Sequence, residues 1–487
     1  MSTSVEIAFI GLLGYFLVLN SLYLAITIGA LVQLDRQRSY RFIDFDRLSA
    51  SDATLPVSVV IPAYNESAIL GDALVALLAS NYREFEVIVV NDGSTDDTRE
   101  RAIADFEMEP HDVFYPTPLQ TARVRGTYRS RRHPNLWLID KENAGGADAV
   151  NAGLNLARYP FIVHIDADCL VEPETLMRLM RPLNFAPDEV VVVGATLRVA
   201  NGLEVKHGRI VSEALPRRLV ERFQVIEYLS SFVLNRLGWG ALNAMPVISG
   251  ACGAWPKRVL MELGGFSTRD THCDIEATIH AHAMLRRAGA RYRIVNVPEA
   301  TVWTQVPMSW RDLKVQRKRW QRVVYEMLWN YRSLILNPRY GYFGTLCMPY
   351  LLLYEGIGAF VETSAYVFVA LLGVLGTLSV QALLLFLFFS FGLTAIVRLL
   401  SLLADILYFR VYPRRSLATL ALLALLEAPI YHVAVLPYRM LAFFEFLRGQ
   451  RTHEKMVRTA IASQARIPGT ADDAAADAYP RLLSEAR

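Results

Sequence analysis

The 487-residue chain has only four cysteines, Cys169, Cys252, Cys273 and Cys347, and they are scattered. None has zinc-site spacing and nothing suggests a disulfide framework, so they read as reduced thiols in a cytosolic compartment. An excess of charge is also missing. The formal net charge is +3 and there is no Lys/Arg-rich arm, so charge gives no support to nucleic acid as a partner. Neither the GxGxxG fingerprint of dinucleotide enzymes nor a P-loop occurs, and no internal repeat is visible. Apolar residues, by contrast, are abundant. They make up 53% of the chain, high for a soluble protein, and the excess gathers at the two ends.

Residues 7–32 carry no charge and exceed the roughly 20 residues needed to cross a bilayer. They lack a basic leader and a small-residue cleavage site, so they read as a membrane helix and not a signal peptide. Arg36, Arg38 and Arg41 follow, which by the positive-inside rule places the next domain in the cytosol. Residues 363–397 are again free of charge. They are too long for one span, and a break near 376–381 predicts a helical hairpin with arms starting near Tyr354 and ending near Leu407. Residues 417–447 carry Glu427, Pro429, His432, Pro437 and Arg439, which are costly in lipid. They predict an interfacial or re-entrant helix pair. The expected division is a membrane helix and linker (1–50), a cytosolic domain (51–335), a C-terminal membrane region (336–450) and a partly disordered cytosolic tail (451–487). The whole reads as a multi-pass protein of the inner (plasma) membrane, in contact with membrane lipid.

Between the apolar ends, strand and helix signals alternate. Strands are predicted at 57–61, 85–90, 136–140, 161–165 and 190–193, with helices at 67–80, 96–106, 144–157 and 173–180. This rhythm predicts a mostly parallel α/β sheet of Rossmann type. Residues 107–135, polar and rich in Pro and Arg, read as a long surface loop.

Acidic residues sit where the strands end. Strand 161–165 runs into Asp166-Ala167-Asp168, strand 85–90 into Asn91-Asp92-Gly93, and the first strand into Pro62-Ala-Tyr-Asn65-Glu66. Open α/β sheets bind ligands at this edge. Two carboxylates at i, i+2 can aim hard oxygens at a divalent cation that also holds a diphosphate. Each motif also has a plainer reading as a turn or a helix cap. Together they favour a mononucleotide sugar held through metal.

Val59-Val-Ile-Pro-Ala-Tyr-Asn-Glu66, Val89-Val-Asn-Asp-Gly-Ser-Thr-Asp96 and His164-Ile-Asp-Ala-Asp168 resemble the donor-site motifs of family 2 inverting glycosyltransferases. Ile248-Ser-Gly-Ala-Cys-Gly253 and Gly264-Gly-Phe266 resemble the acceptor-side segment. Gln316-Arg-Lys-Arg319-Trp320 is similar to the QxxRW signature of the membrane-embedded processive branch, which includes cellulose, hyaluronan, chitin and poly-N-acetylglucosamine synthases. The resemblance implies a GT-A type α/β domain flanked by transmembrane helices. It implies a UDP-sugar donor, UDP-N-acetylglucosamine or UDP-glucose, and a growing β-linked polysaccharide as acceptor. A lipid-linked acceptor, or a decayed site in a scaffold subunit of a secretion complex, are the alternatives; a homo-oligomer is a further possible assembly.

By this resemblance Asp92 would contact the uridine, and Glu66 would belong to the same donor site. Asp166 and Asp168 would hold UDP and Mg²⁺ or Mn²⁺. Asp274 would be the general base, and Gln316, Arg319 and Trp320 would lie beneath donor and acceptor. Trp320 could equally anchor at the bilayer interface, and residues 317–319 could be a basic run meeting anionic lipid. Two positions depart from the family pattern. Cys273 stands where an acid usually precedes the base, and Gly146 stands where a lysine often closes the Glu142-Asn-Ala-Gly-Gly146 segment.

Overall fold

The computed structural model describes residues 3–36, 54–206, 209–212, 214–268 and 273–449. The expected linker after Arg36, His272 and the expected cytosolic tail lie outside them. The described residues contain twelve strands: β1 (Val57–Ala63), β2 (Phe85–Asp92), β3 (Met108–Pro110), β4 (Val124–Ser130), β5 (Leu136–Lys141), β6 (Phe161–Ile165), β7 (Leu170–Val171), β8 (Val190–Val199), β9 (Glu204–Lys206), β10 (Arg209–Ser212), β11 (Cys252–Pro256) and β12 (Arg293–Thr304). Ten form one sheet in the order β3-β4-β5-β2-β1-β6-β11-β8-β12-β7, and β9 pairs with β10. β5, β2, β1 and β6 run parallel, while β11 lies antiparallel to β6 and β8.

The central strands are apolar at nearly every position because helices cover both faces. Val57, Val59, Val87 and Val89 enter one buried cluster, whereas Val60, Ile88 and Val90 enter the other, as the two-residue period requires. The helices Leu70–Leu78, Thr98–Asp105 and Gly146–Leu156 fall within the predicted intervals, and Thr175–Phe185 runs five residues past its own. Residues 107–135 correct the sequence reading, because β3 and β4 form an antiparallel edge there. β4 carries Arg125 and Arg129 on a partly solvated strand, and charges of this kind commonly blunt a sheet edge.

Among the described residues three helices are long and apolar enough to cross a membrane: Thr3–Arg36, Val380–Phe409 and Arg414–Leu447. A fourth candidate is the pair Phe343–Gly356 and Gly358–Val374, bent by 51°. The predicted hairpin is present, with its turn between Val374 and Val380. Phe9, Phe16, Ala365, Val369, Leu372 and Phe386 fill a separate small core between the N-terminal helix and the hairpin arms. Arg414–Leu447 is one helix and not the expected pair. A π-helical stretch at Glu427–His432 accommodates Pro429 without ending it.

Candidate active site

The carboxyl ends of β1 and β2 stop level, with Ala63 opposite Asn91. The loops leaving them are stitched together. Thr95 N–H donates to Asn65 Oδ1 at 2.7 Å, Asn65 N–H to Ser94 Oγ at 3.0 Å, and Glu66 N–H to Thr98 Oγ1 at 2.9 Å. The backbone of Glu66 thus fixes the rim of the sheet.

Asp92 is buried. Its carboxylate accepts from Lys141 Nζ at 2.5 Å, Ala144 N–H at 3.0 Å and Gly145 N–H at 2.7 Å. Lys141, fully buried, also meets Asp148 at 2.7 Å. Both oxygens of Asp92 are therefore engaged in holding the 142–146 loop from beneath. Gly146, where the family pattern carries a lysine, begins the helix Gly146–Leu156, and the buried positive charge below this loop belongs to Lys141.

Asp166 follows the last residue of β6, and Cys169 N–H closes a turn onto its carbonyl at 3.1 Å. Asp166 is half-buried and Asp168 is buried. Thr304 Oγ1, at the end of β12, donates to Asp168 Oδ2 at 3.3 Å. Antiparallel pairing of β11 with β6 sets Cys252 opposite Ile165, and Asp166 N–H donates to Ala251 O at 3.1 Å. Residues 249–251 are thereby laid beside the two aspartates.

Asp274 arrives from the far side of that same strip, in the first turn of the helix Cys273–Arg287. A Cβ on Gly250 would lie 2.8 Å from its Oδ2, so glycine is what lets the carboxylate rest on the strip. Burial raises the Asp274 carboxyl above its ordinary value, and the backbone N–H of Ile275 and the nearby Arg236 guanidinium pull the other way. Arg236 sits 4.1 Å over the Phe232 ring, and its Nη1 is buried without a protein partner among the described residues. Burial pulls this guanidinium down to about 10, Asp274 opposing the shift. Farther along the Cys273–Arg287 helix, Glu276 accepts from Tyr331 Oη at 2.5 Å.

Gln316, Arg319 and Trp320 share one face of the helix Trp310–Asn330, as their i, i+3, i+4 spacing requires. Gln316 is buried, with Oε1 lacking a protein partner among the described residues. Trp320 is half-buried and Arg319 is exposed. Tyr228 links these parts, lying within electrostatic reach of Asp168, Glu227, Arg236 and Arg317. The structure thus brings Asp166, Asp168 and Asp274 around the 249–251 strip at the carboxyl edge, with Tyr228 within electrostatic reach of both Asp168 and Arg317 of the Trp310–Asn330 helix. Asp92 and Glu66 stand in the frame of this edge.

Sequence reasoning missed Glu227, Tyr228 and Arg236. They lie on one helical run, residues 219–241, whose middle is π-helical at Leu229–Asn235. The available signal was isolated charge within an apolar helix. π-Helical stretches themselves concentrate at functional sites.

A family model described as "Glycosyltransferase like family 2" matches residues 55–323. Poly-beta-1,6-N-acetyl-D-glucosamine synthase of Staphylococcus epidermidis is 26% identical over 273 residues, covering 56% of this chain and 55% of that protein. The enzyme of the same name from Staphylococcus aureus is 26% identical over 272 residues, with the same coverage. The chain thus spans about half the length of the curated relatives it matches. The mannosyltransferase PcManGT from Pyrobaculum calidifontis, solved in complex with GDP-Man and Mn2+, superposes with a TM-score of 0.51 at 20% identity, over 90% of this chain and 100% of that one. That similarity establishes a shared α/β fold of the GT-A type.

Proposed function

Because the chain belongs to the Glycosyltransferase like family 2, we propose that it transfers a sugar with inversion from a UDP-sugar to a growing β-linked polysaccharide. UDP-N-acetylglucosamine or UDP-glucose is the donor. One observation carries this reading. Asp274, its carboxyl raised by burial, lies against the Gly250 strip that β6–β11 pairing lays beside Asp166 and Asp168.

In the proposed reaction Asp274 takes the proton of an acceptor hydroxyl as that oxygen bonds to sugar C1, and the bond from C1 to the diphosphate breaks on the opposite face. The exposed Arg319 offers a planar fork to phosphate oxygens, and Trp320 offers a flat face to a sugar ring. Asp166 and Asp168 are the residues that would hold a divalent cation. Their hard carboxylate oxygens suit a cation whose remaining positions are filled by the nucleotide's oxygens. Mg²⁺ or Mn²⁺ bound there would neutralise charge on the leaving diphosphate. Asp168→Ala is expected to weaken UDP binding at least ~10-fold in Mn²⁺ and to leave binding in EDTA unchanged, as titration calorimetry would register. Equal wild-type affinity with Mn²⁺ and with EDTA would remove the metal from the proposal.

The deciding experiment incubates the purified chain in detergent with radiolabelled UDP-sugars and sizes the product on a gel. Long product supports the polysaccharide reading, and failure with every donor overturns transfer altogether. A single added sugar would favour a second reading, transfer to a lipid-linked acceptor. One feature favours that reading: among the described residues three helices, or four counting the bent pair, are long and apolar enough to cross a membrane, few walls for a polymer path.

The proposed topology places the α/β domain and residues 414–447 on the cytosolic side. At ~1.5 Å per residue this helix is about 50 Å long, and it is tied both to the hairpin arms, through His432–Glu362 and Glu427–Arg398, and to the α/β domain. Tyr431 bonds Glu227, Arg439 bonds Gln321, and Glu445 pairs with Lys318. None of its residues enters the core between the membrane helices. A fluorescent-protein fusion after residue 449 is expected to light up inside cells and an alkaline phosphatase fusion there to be inactive. The reverse pattern would make the helix a crossing.

A further inference from the structure

The helix Arg414–Leu447 reaches Trp320 through a chain of buried polar contacts. Arg317 occupies a variable position of the QxxRW segment. Its guanidinium lies 4.4 Å from the centre of the Trp320 ring, a cation–π contact that fixes one face of the indole. Nη1 and Nη2 of Arg317 donate to the two oxygens of Glu227, each at 2.7 Å, a bidentate geometry that locks the guanidinium plane. Tyr431, in the π-helical stretch of Arg414–Leu447, completes the set. Its hydroxyl donates to Glu227 Oε2 at 2.9 Å and accepts from Arg317 Nη2 at 3.1 Å. The Tyr431 ring is itself wedged between Phe223 and Trp310. Arg317 and Tyr431 are buried, so little water is at hand to replace a lost partner.

We propose that Tyr431, Glu227 and Arg317 are positioning residues that set the Trp320 ring from behind, so that the C-terminal helix governs acceptor binding in the catalytic domain. This rests on the glycosyl-transfer reading above. The relay holds the indole by the face turned to Arg317; the ring also packs on the apolar core, and its exposed part is what a sugar ring would meet. A loosened indole should therefore be felt by the acceptor far more than by the nucleotide.

The test uses the full chain in detergent, with Tyr431→Phe, which keeps the ring and removes only the hydroxyl, and Glu227→Gln. Acrylamide quenching attributable to Trp320 is read as the difference between each variant and the same variant carrying Trp320→Phe. It is expected to rise at least twofold in both. Acceptor KM is expected to rise about tenfold, with UDP-sugar KM within twofold of wild type. Unchanged quenching would overturn the relay whatever the activity. A rise in donor KM parallel to that in acceptor KM, or an equal fall in kcat alone, would mean a general structural role and overturn the proposal. A wild type that transfers no sugar would sink the functional reading on separate grounds, and the quenching result would still decide the relay.

Discussion

Asp274→Asn is expected to lower sugar transfer about 10³-fold, within the 10²–10⁴ typical of a lost general base, with UDP-sugar affinity nearly unchanged. The amide keeps the shape of the carboxylate and can still accept the backbone N–H of Ile275, but it cannot take a proton. The pH dependence follows from the raised carboxyl. Transfer requires the ionised form, so wild-type activity should fall as pH drops through a value above the ordinary 3.8. Stability runs the other way. A carboxyl raised by burial binds its proton more tightly in the folded state, so stability falls as pH rises from the ordinary 3.8 through the raised value, and the cost is fully gone only below 3.8. Asp274→Asn should thus melt no lower than wild type at neutral pH while losing turnover. Normal turnover would reject the base. Gly250→Ala, whose Cβ would press on Oδ2 from 2.8 Å, should impair turnover in the same direction.

Arg398→Ala is expected to destabilise the full chain by about 3–5 kcal/mol, the usual result of breaking a buried pair from one side. Arg398 donates from Nε and Nη2 to the two oxygens of Glu427 at 3.0 and 3.2 Å, and from Nη1 to Tyr23 and Ser230. One side chain thereby joins the N-terminal helix, the hairpin, the 219–241 helix and the C-terminal helix. Its removal leaves Glu427, 1% exposed, without its counter-ion. The double variant Arg398→Leu, Glu427→Leu should recover most of the loss, since matched apolar replacements avoid the stranded charge. Thermal melts in one detergent would compare the three proteins. Equal melting of the single and double variants would show that the stranded carboxylate is not the source of the loss.

The apolar strands, the helices between them and the acidic strand ends were legible because each is a local pattern: buried central strands are continuously apolar, and a chain leaving a strand needs turn residues. β4 was not legible, because Arg125 and Arg129 give it the composition of a loop and only pairing with β5 makes it a strand. Asp92 could be singled out at its strand end, but not its bonds to Lys141 and two amides, which depend on a loop some 50 residues later. Arg317 could be read as part of a lipid-facing basic run, since adjacent residues on a helix face different ways and sequence does not reveal which partner waits on each side. Its partners lie 90 and 114 positions away. The charged residues of 414–447 pointed to a helix pair where there is one continuous helix, because the partners that hold those charges are spread over residues 227–398.

Those ties give the chain a particular order of assembly. Glu227, Arg317 and Arg398 are made long before Tyr431 and Glu427, and a ribosome delivers them in that sequence. Until residues near 430 emerge, Arg317 and Glu227 have each other but lack the Tyr431 hydroxyl, Arg398 must stay solvated or find a temporary partner, and the helix that carries Trp320 lacks part of its backing. The catalytic domain therefore matures from the far end of the chain, and a truncation before Glu427 should yield a membrane-inserted protein with an unfinished site.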